Sequence, residues 1–599
     1  MDTENFWKIT LLSPTRVVFS AIFSHLGLLI KLFPHHFSVV FSKFHHKKAK
    51  QQLKASFEKI KPELAALYFS KGLKTAGKFI SSQENIEKDL RIVALIYLCR
   101  IALPHDGVQI KPLIMQALAL HPKPMRIKSL AFLLYQIGDL STSLKLLDAI
   151  KTKLNIIDYK KMMLIRAEWE SLSSSRFAFK KNIKPKFMTC KKTILYVAAS
   201  SLPHHTSGYT LRTHGMVQGL AAAGWNMVCI TRPGYPKDRT DCVKIKDKMH
   251  TVDNISYHAL SGPNRRTTPL RQYILAAAQK ILAAAKKTKP QLIQAASNYE
   301  TALPALIAAK KLGLPFVYEV RGLWEYTAAS KIPGWEGSER FSLMKQLETW
   351  VASNADLVLT LNRPLCNELI ERGVAAHKIS LAPNAVDIQK FSPLPRDTFL
   401  SHDLGLTNNF TVGYAGSIVG YEGLDDLISA INLAKQTIPN IRLIIVGNGE
   451  ALPRLKLQVQ AGALQDYVHF TGAVNTNEVQ RYLSLFDVIC LPRKPYKVCQ
   501  LVSPLKPLEA MAMKIPLLIS NVAALEEMAT HGLTALIHQA GDSVSLADSL
   551  INIARNPTLR QILAENAYAY VLQKHTWNHI GQKLSEDFRI LLEKSNRLI

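Results

Sequence analysis

The stretch TILYVAASSLPHHTSGYTLRTHGMVQGLAAAGWNMVCIT, residues 193–231, decides the fold. It opens on a short β-rich run, Thr193 to Ala199, and passes through a loop that holds Gly208. A helix-like stretch from Arg212 to Ala223 follows, then Gly224, then a second apolar run from Met227 to Thr231. Strand, glycine loop, helix and strand form a βαβ unit, the building block of a parallel sheet. The pattern repeats, with strands predicted over 292–295, 316–320 and 357–361 and a helix over 301–311. It restarts with a strand at 410–414, a glycine-bearing loop at 415–423, a helix at 424–435 and a strand at 442–446 that ends in Gly447-Asn448-Gly449. Runs at 468–470, 488–491 and 517–520 read as later strands. The reading is α/β: two Rossmann-like domains, 193–395 and 396–599, facing a cleft and preceded by an all-α domain. Open parallel sheets bind ligands beyond the C-terminal ends of their strands, and two of them face to face enclose a cleft.

Upstream the texture is helical. Leu73, Ala76, Phe79 and Ile80 follow the 3.6-residue period, as do Leu90, Val93, Ala94, Tyr97 and Leu98. AFLLYQIGDLSTSLKLLDAI, residues 131–150, reads as two apolar helices broken at Gly138-Asp139, and it resembles one tetratricopeptide hairpin. Residues 51–172 are assigned to this helical, repeat-like domain, which offers a surface for a protein partner, and the polar basic segment 173–192 to a linker.

The 599 residues carry 75 Lys and Arg against 45 Asp and Glu, a formal charge of +30. At 48% apolar residues the chain is not a disordered one. The basic excess attracts polyanions, whether anionic lipid, nucleic acid or phosphorylated substrate. It is spread along the chain, and no aromatic stacking motif of the RNA-binding type occurs, which speaks against nucleic acid. Seven scattered cysteines, none in a C-x-x-C pair, argue against a disulfide framework or structural zinc and fit a reducing cytoplasm. Between Glu4 and Glu58 no acidic residue occurs. The apolar run Val17 to Ile30 in that segment is too short and interrupted to span a membrane, and no small-residue cleavage site follows it. Two readings of residues 1–50 stay open. One is an interfacial helix with His45, His46, Lys47, Lys48 and Lys50 on headgroups, peripheral on the inner face of the cytoplasmic membrane; the other is a core helix with a solvated basic flank.

No P-loop and no zinc metallopeptidase helix occur. Instead, glycine-rich and basic loops follow the predicted strands. Such loops turn backbone N–H groups and helix N-termini toward an anion, and a nucleotide diphosphate is the natural guest.

Several of these loops occur in a telling order. They are His205–Gly215 (HTSGYTLRTHG), Val228–Pro236 (VCITRPGYP), Tyr318–Trp324 (YEVRGLW), Ala382–Asp387 (APNAVD) with Phe391, Gly413–Leu424 (GYAGSIVGYEGL), Ile445–Gly449 (IVGNG), Leu491–Met513 (LPRKPYKVCQLVSPLKPLEAMAM) and Ala524–Met528 (ALEEM). On these motifs residues 193–590 resemble family 4 of the retaining glycosyltransferases, which have the GT-B fold. The resemblance implies that Glu509, at the start of a helix 509–513, accepts hydrogen bonds from the donor's ribose hydroxyls. It implies that Lys506 meets the diphosphate and stabilises the departing phosphate, and that Gly208 lets the backbone approach the β-phosphate. Arg212 would reach the same anion. Arg321 stands where many members carry a histidine against the donor sugar, and a guanidinium there suits a phosphate or carboxylate on the acceptor. Gly416, Gly447, Pro504, Leu505 and Glu527 line the donor side, and Tyr209 and Asn384 line the cleft.

Two departures stand out. The family's earlier glutamate, with seven residues between it and the ribose-binding one, is replaced by Leu501. The arginine and lysine that clamp the phosphates are replaced by Ser417 and Glu422, so Arg493 and Lys494, with Lys506, are expected to take over. The resemblance implies a glycosyltransferase that works with retention and needs no metal and no cofactor. Its donor is a nucleotide-sugar, foremost a UDP-sugar, and its acceptor a saccharide or lipid-linked saccharide of surface polysaccharide synthesis, as in capsule or lipopolysaccharide. Two rivals stay open: a sugar-nucleotide epimerase of the same fold, and a non-catalytic scaffold with a degenerate transferase domain.

Overall fold

The computed structural model describes residues 34–82, 86–174, 179, 185–239, 242, 249–475 and 477–597. The predicted interfacial helix before residue 34 lies outside them, as do the side chains of residues 34–49 with His45, His46, Lys47 and Lys48. The chain forms two compact units, one ending in residues 110–133 and one made of 104–109 and 134–599. No described helix is long and apolar enough to cross a membrane.

The first unit is all-α. Its long helix Pro34–Ser82 is broken at Gly72, whose φ of 79° only glycine adopts freely. Ala76, Ile80, Leu95, Leu98 and Ile114 are buried in its core, as the helical period requires.

In the second unit the helix Leu140–Ala149 starts where Gly138-Asp139 predicts a break: Gly138 takes φ 82°, and the Asp139 carboxylate caps the helix at Thr142 N–H. The helix Ile156–Ser174 packs on the α/β core. Trp169 Nε1 donates to Glu339 (2.9 Å), Glu168 pairs with Arg340, and Leu140 and Leu172 join the apolar cluster of the first sheet. These helices are therefore built into the α/β body, rather than belonging to a separate domain ending at residue 172.

The first sheet contains β1 (Thr193–Ala198), β2 (Asn226–Thr231), β3 (Met249–Val252), β4 (Ile255–Ala259), β5 (Leu292–Ala296), β6 (Phe316–Val320), β7 (Leu357–Thr360) and β8 (Ile379–Leu381). Their order is β3-β4-β2-β1-β5-β6-β7-β8, and every pair is parallel except β3 with β4. That hairpin escaped the sequence reading. Its turn, Asp253-Asn254, has positive φ at both residues (45° and 64°), the two-residue geometry that Asp and Asn tolerate. The second sheet contains β9 (Phe410–Ala415), β10 (Ile441–Val446), β11 (Val468–Gly472), β12 (Val488–Leu491), β13 (Leu517–Ser520) and β14 (Leu536–His538), all parallel, in the order β11-β10-β9-β12-β13-β14. The central strands are buried on both faces, which is why they read as unbroken apolar runs.

The chain does not end in the second α/β domain, as the span 396–599 implied. Its last helix, Trp577–Arg597, returns to the first domain and packs on the helix Gly208–Ala222. Trp577, Ile580, Leu584 and Phe588 complete a cluster with Met216, Val217 and Leu220. The return is fixed by Trp225 Nε1 to Ser585 Oγ (2.9 Å), Ser380 Oγ to Asp587 (2.7 Å) and Lys583 Nζ to Leu381 O (2.6 Å). Glycines allow the close approach: a Cβ on Gly219 would lie 2.2 Å from Trp577 O, and one on Gly581 2.1 Å from Gly219 O. Gly219→Ala should therefore lower unfolding stability by about 1–3 kcal/mol, the usual cost of overpacking, as read from the urea midpoint. Gly373→Ala, at a glycine with open space, controls for composition; any penalty there reflects its φ of 95° alone.

Candidate active site

The site stands at the C-terminal ends of both sheets. On the first side the helix Gly208–Ala222 begins four residues earlier than predicted. Ser207 and Thr210 form a capping box: the Ser207 hydroxyl accepts from Thr210 N–H, and Thr210 Oγ1 accepts from Ser207 N–H. Gly208 is thus the first helical residue, and Leu505 of the opposite domain lies 3.8 Å from where its Cβ would stand.

Beneath this helix lies a buried charge network on the carboxylate of Glu319. Arg212 Nε and Arg321 Nε each donate to Glu319 Oε1 at 2.9 Å, and Tyr196 OH donates to Oε2 at 2.8 Å. Burial alone would raise the Glu319 carboxyl, but the Arg321 and Arg212 guanidiniums outweigh it and hold its pKa at about 2. Arg321 spends all five N–H groups inside the protein. Besides Nε, Nη2 reaches Glu319 Oε2 and Tyr196 OH, and Nη1 reaches Tyr209 O and Thr213 Oγ1. An acceptor anion finds no free donor there, which corrects the role expected for Arg321. Arg212 is corrected in the same way: it is buried, and its Nη atoms donate to Ala382 O, Pro383 O and Asn384 Oδ1. It fastens the helix to the crossover rather than meeting the donor. Asn384 is likewise a buried tie rather than a cleft wall, since its Nδ2 donates to Ser503 O (2.7 Å) in the second domain.

On the second side, Gly416 and Gly447 close the ends of β9 and β10 against each other; a Cβ on Gly447 would stand 1.9 Å from Gly416 O. Lys506 lies along Gly416 and opens the helix Lys506–Ala512, so Glu509 sits in its first turn rather than starting it. Glu422, read as a departure, stands between two cations. Its carboxylate meets Arg493 Nη2 and Lys506 Nζ at 2.9 Å each, and Lys506 Nζ also donates to Tyr414 OH at 2.9 Å. Burial would raise Glu422, but Arg493 and Lys506 overcome it and hold it at about 2. Of the three cations expected near the phosphates, Arg493 and Lys506 lie side by side, bridged by the Glu422 carboxylate. Arg493 Nε is buried with no hydrogen-bond partner among the described residues.

Three expected donor residues point elsewhere. Lys494 is bound to Asp425 and Asp426 at 3.0 Å each. The Glu527 carboxylate accepts from Arg363 N–H at 2.8 Å, capping the helix Arg363–Glu371 of the first domain. Ser417 is exposed, with its carbonyl bonded by Tyr414 OH. Leu501, in place of the earlier glutamate, is buried apolar packing. Glu509 differs from all these carboxylates: no hydrogen bond to its side chain occurs among the described residues. Burial lifts its pKa to about 6, against the opposing pull of Lys506 and Lys390.

Between the two sides lies a hollow of about 160 Å³, lined by Tyr209, Arg321, Trp324, Tyr421, Arg493 and Val502 among others. Pro504 and Leu505 stand half-buried beside it, at the turn leading into Lys506. The sequence reading did not single out Trp324 or Tyr421. Each follows a strand end by a few residues and was a visible aromatic signal, but only the fold brings the two to one wall.

Two parallel-sheet lobes whose C-terminal strand ends turn to one hollow define a fold class. Residues 206–390 match the family described as Glycosyltransferase Family 4, and residues 399–570 match Glycosyl transferases group 1. Each lobe of the cleft thus matches a glycosyltransferase family model, and the two sheets are arranged like those of GT-B glycosyltransferases. Among solved structures, sucrose-phosphate synthase from Thermosynechococcus elongatus is similar over 67% of this chain and 100% of its own (TM-score 0.56, 18% identity). HepE of Anabaena, in complex with UDP-glucose, is similar over 66% of this chain and 99% of its own (TM-score 0.52, 21% identity). An uncharacterized glycosyltransferase of Methanocaldococcus jannaschii is 23% identical over 249 residues, 41% of this chain; the match spans 62% of that relative's length.

The two kinds of carboxylate respond differently to substitution. Glu319→Ala leaves two buried guanidiniums uncompensated and should cost about 3–5 kcal/mol in urea unfolding. Glu509→Gln removes a carboxylate whose ionised form burial disfavours, and stability should hold or rise. Because the folded pKa of Glu319 lies below its unfolded value, its contribution is full above about 4.5 and is lost as pH falls toward about 2.

Proposed function

We propose that this chain transfers a glycosyl group from a nucleotide-sugar, foremost a UDP-sugar, to a saccharide or lipid-linked acceptor, with retention of configuration and without metal. The observation that carries the reading is Glu509. A half-buried carboxylate that accepts no hydrogen bond from the described residues, one turn along the same short helix from Lys506, has its acceptor oxygens available to a ligand's paired hydroxyls. HepE, of the same fold, binds UDP-glucose. In this reading the ribose lies on Glu509, and the diphosphate lies along Gly416 and Gly447 toward Lys506 and Arg493. The acceptor hydroxyl enters from the hollow beside Trp324; its oxygen bonds to the anomeric carbon on the face that the phosphate leaves as the carbon–phosphate oxygen bond breaks, and its proton passes to the departing phosphate oxygen. Charge develops on the leaving oxygen as the sugar becomes oxocarbenium-like, and the preset cations Lys506 and Arg493 stabilise it without reorganising. Glu422 holds both cations in place, so they need not be desolvated at the moment of reaction. Surface polysaccharide synthesis is the setting proposed for the acceptor.

A thermal-shift screen against UDP-, GDP- and ADP-sugars names the donor, since the nucleotide that binds the native state raises the melting temperature by mass action. Incubation with radiolabelled UDP-glucose and an acceptor panel should give an α-linked product by NMR. An epimerised donor with no glycoside would replace this reading with epimerase chemistry, and binding without turnover would leave a scaffold. Lys506→Ala should lower kcat about 10²–10³-fold while leaving donor Kd within a few-fold. Donor Kd should rise as pH falls below about 6, because the ionised Glu509 is the hydrogen-bond acceptor; in Glu509→Gln this pH step should vanish.

A further inference from the structure

The helix Ile156–Ser174 presents one face to the α/β core and another to solvent. Asp158, Met162 and Ile165 are buried. On the opposite side Ile156, Tyr159, Lys160 and Met163 recur at i, i+3, i+4 and i+7, the spacing of one helical stripe. Ile156 is 71% exposed, Ile157 beside it 63%, Tyr159 44% and Met163 41%. Scattered apolar residues on a surface are ordinary, but four large ones within eight residues on one face mark an interaction surface. Exposed lysines surround them: Lys160 and Lys161 on the helix, Lys151 and Lys153 in the turn before it. The sole acidic residue between 151 and 163 is Asp158, on the buried side. Within residues 151–163 the exposed charges are therefore all positive, beside the polar Thr152 and Asn155, and the nearby Asp148 carboxylate is taken up by Arg166.

We propose that this face docks on an anionic lipid bilayer. Ile156, Ile157, Tyr159 and Met163 enter the boundary between headgroups and acyl chains, and the lysines, whose long stems let their ammonium groups reach outward, meet the lipid phosphates. A protein groove would bury Lys160 in the middle of the apolar stripe, whereas a membrane interface accommodates both chemistries side by side. This anchor is distinct from residues 1–50 and lies on the unit that holds the cleft. Glu168 and Trp169, about 18 Å along the same helix from Ile156, are bonded to Arg340 and Glu339 of the first α/β domain. The bilayer is thereby held at a fixed distance from the cleft.

The test is co-sedimentation of the full chain with vesicles of phosphatidylcholine alone and of phosphatidylcholine with phosphatidylglycerol at three to one. Binding is expected only to the mixed vesicles, and it should weaken with added salt. The triple variant Ile156→Asp, Ile157→Asp, Met163→Asp and the charge variant Lys151→Glu, Lys153→Glu, Lys160→Glu should each lower the partition coefficient at least about tenfold. Both should keep the wild-type melting temperature, since the substituted side chains are exposed. Loss of less than about threefold in both variants places any membrane binding elsewhere, residues 1–50 included, and overturns the proposal. So does wild-type protein that ignores both vesicles, or that runs as a dimer which the Asp variant dissociates.

Discussion

The architecture of the first lobe turns on one carboxylate. Glu319, at the end of β6 and wholly buried, draws in Arg212 from the helix Gly208–Ala222 and Arg321 from the loop after its own strand. Arg212 then reaches the carbonyls of the Ala382–Asn384 segment, and Asn384 reaches Ser503 of the second lobe. One buried charge thus fixes helix, sheet and crossover together, and through them the distance between Gly208 and Leu505. A buried ion of this kind survives because both guanidiniums, Tyr196 and Gln294 satisfy it.

The second lobe solves a similar problem in another way. Where the family pattern carries cations in the loop after β9, this chain has an exposed serine and a buried glutamate. The positive charges come from Arg493, after β12, and Lys506, at the start of the helix that bears Glu509. The glutamate supplies the counter-charge that lets two cations lie close together in a partly dry site.

Much of the fold was legible because parallel strands buried on both faces write themselves as apolar runs. β6, β12 and β13 run from end to end as predicted. Short edge elements such as the β3–β4 hairpin, and the return of the last helix, depend on turn chemistry and long-range packing that periodicity does not carry. Of the candidate site, Lys506 and Arg493 meet on Glu422, Lys506 and Glu509 share one helix turn, and Gly208 faces Leu505 just before that helix. Arg321, Arg212, Lys494 and Glu527 looked equally suited by charge and by position after a strand. Their partners, Glu319, Asp425 and Asp426, and Arg363 N–H, are far off in sequence or ordinary in type, and only the folded geometry shows which cations and anions are already taken.

The return of the helix Trp577–Arg597 has a mechanical side. The polypeptide crosses from lobe to lobe twice, near Val386 and near Thr576, and the two crossings are joined as a parallel bridge with Val386 N–H on His575 O at 2.9 Å. Two crossings bonded side by side resist sliding and twisting between the lobes, so the alignment of one lobe on the other is set along that line.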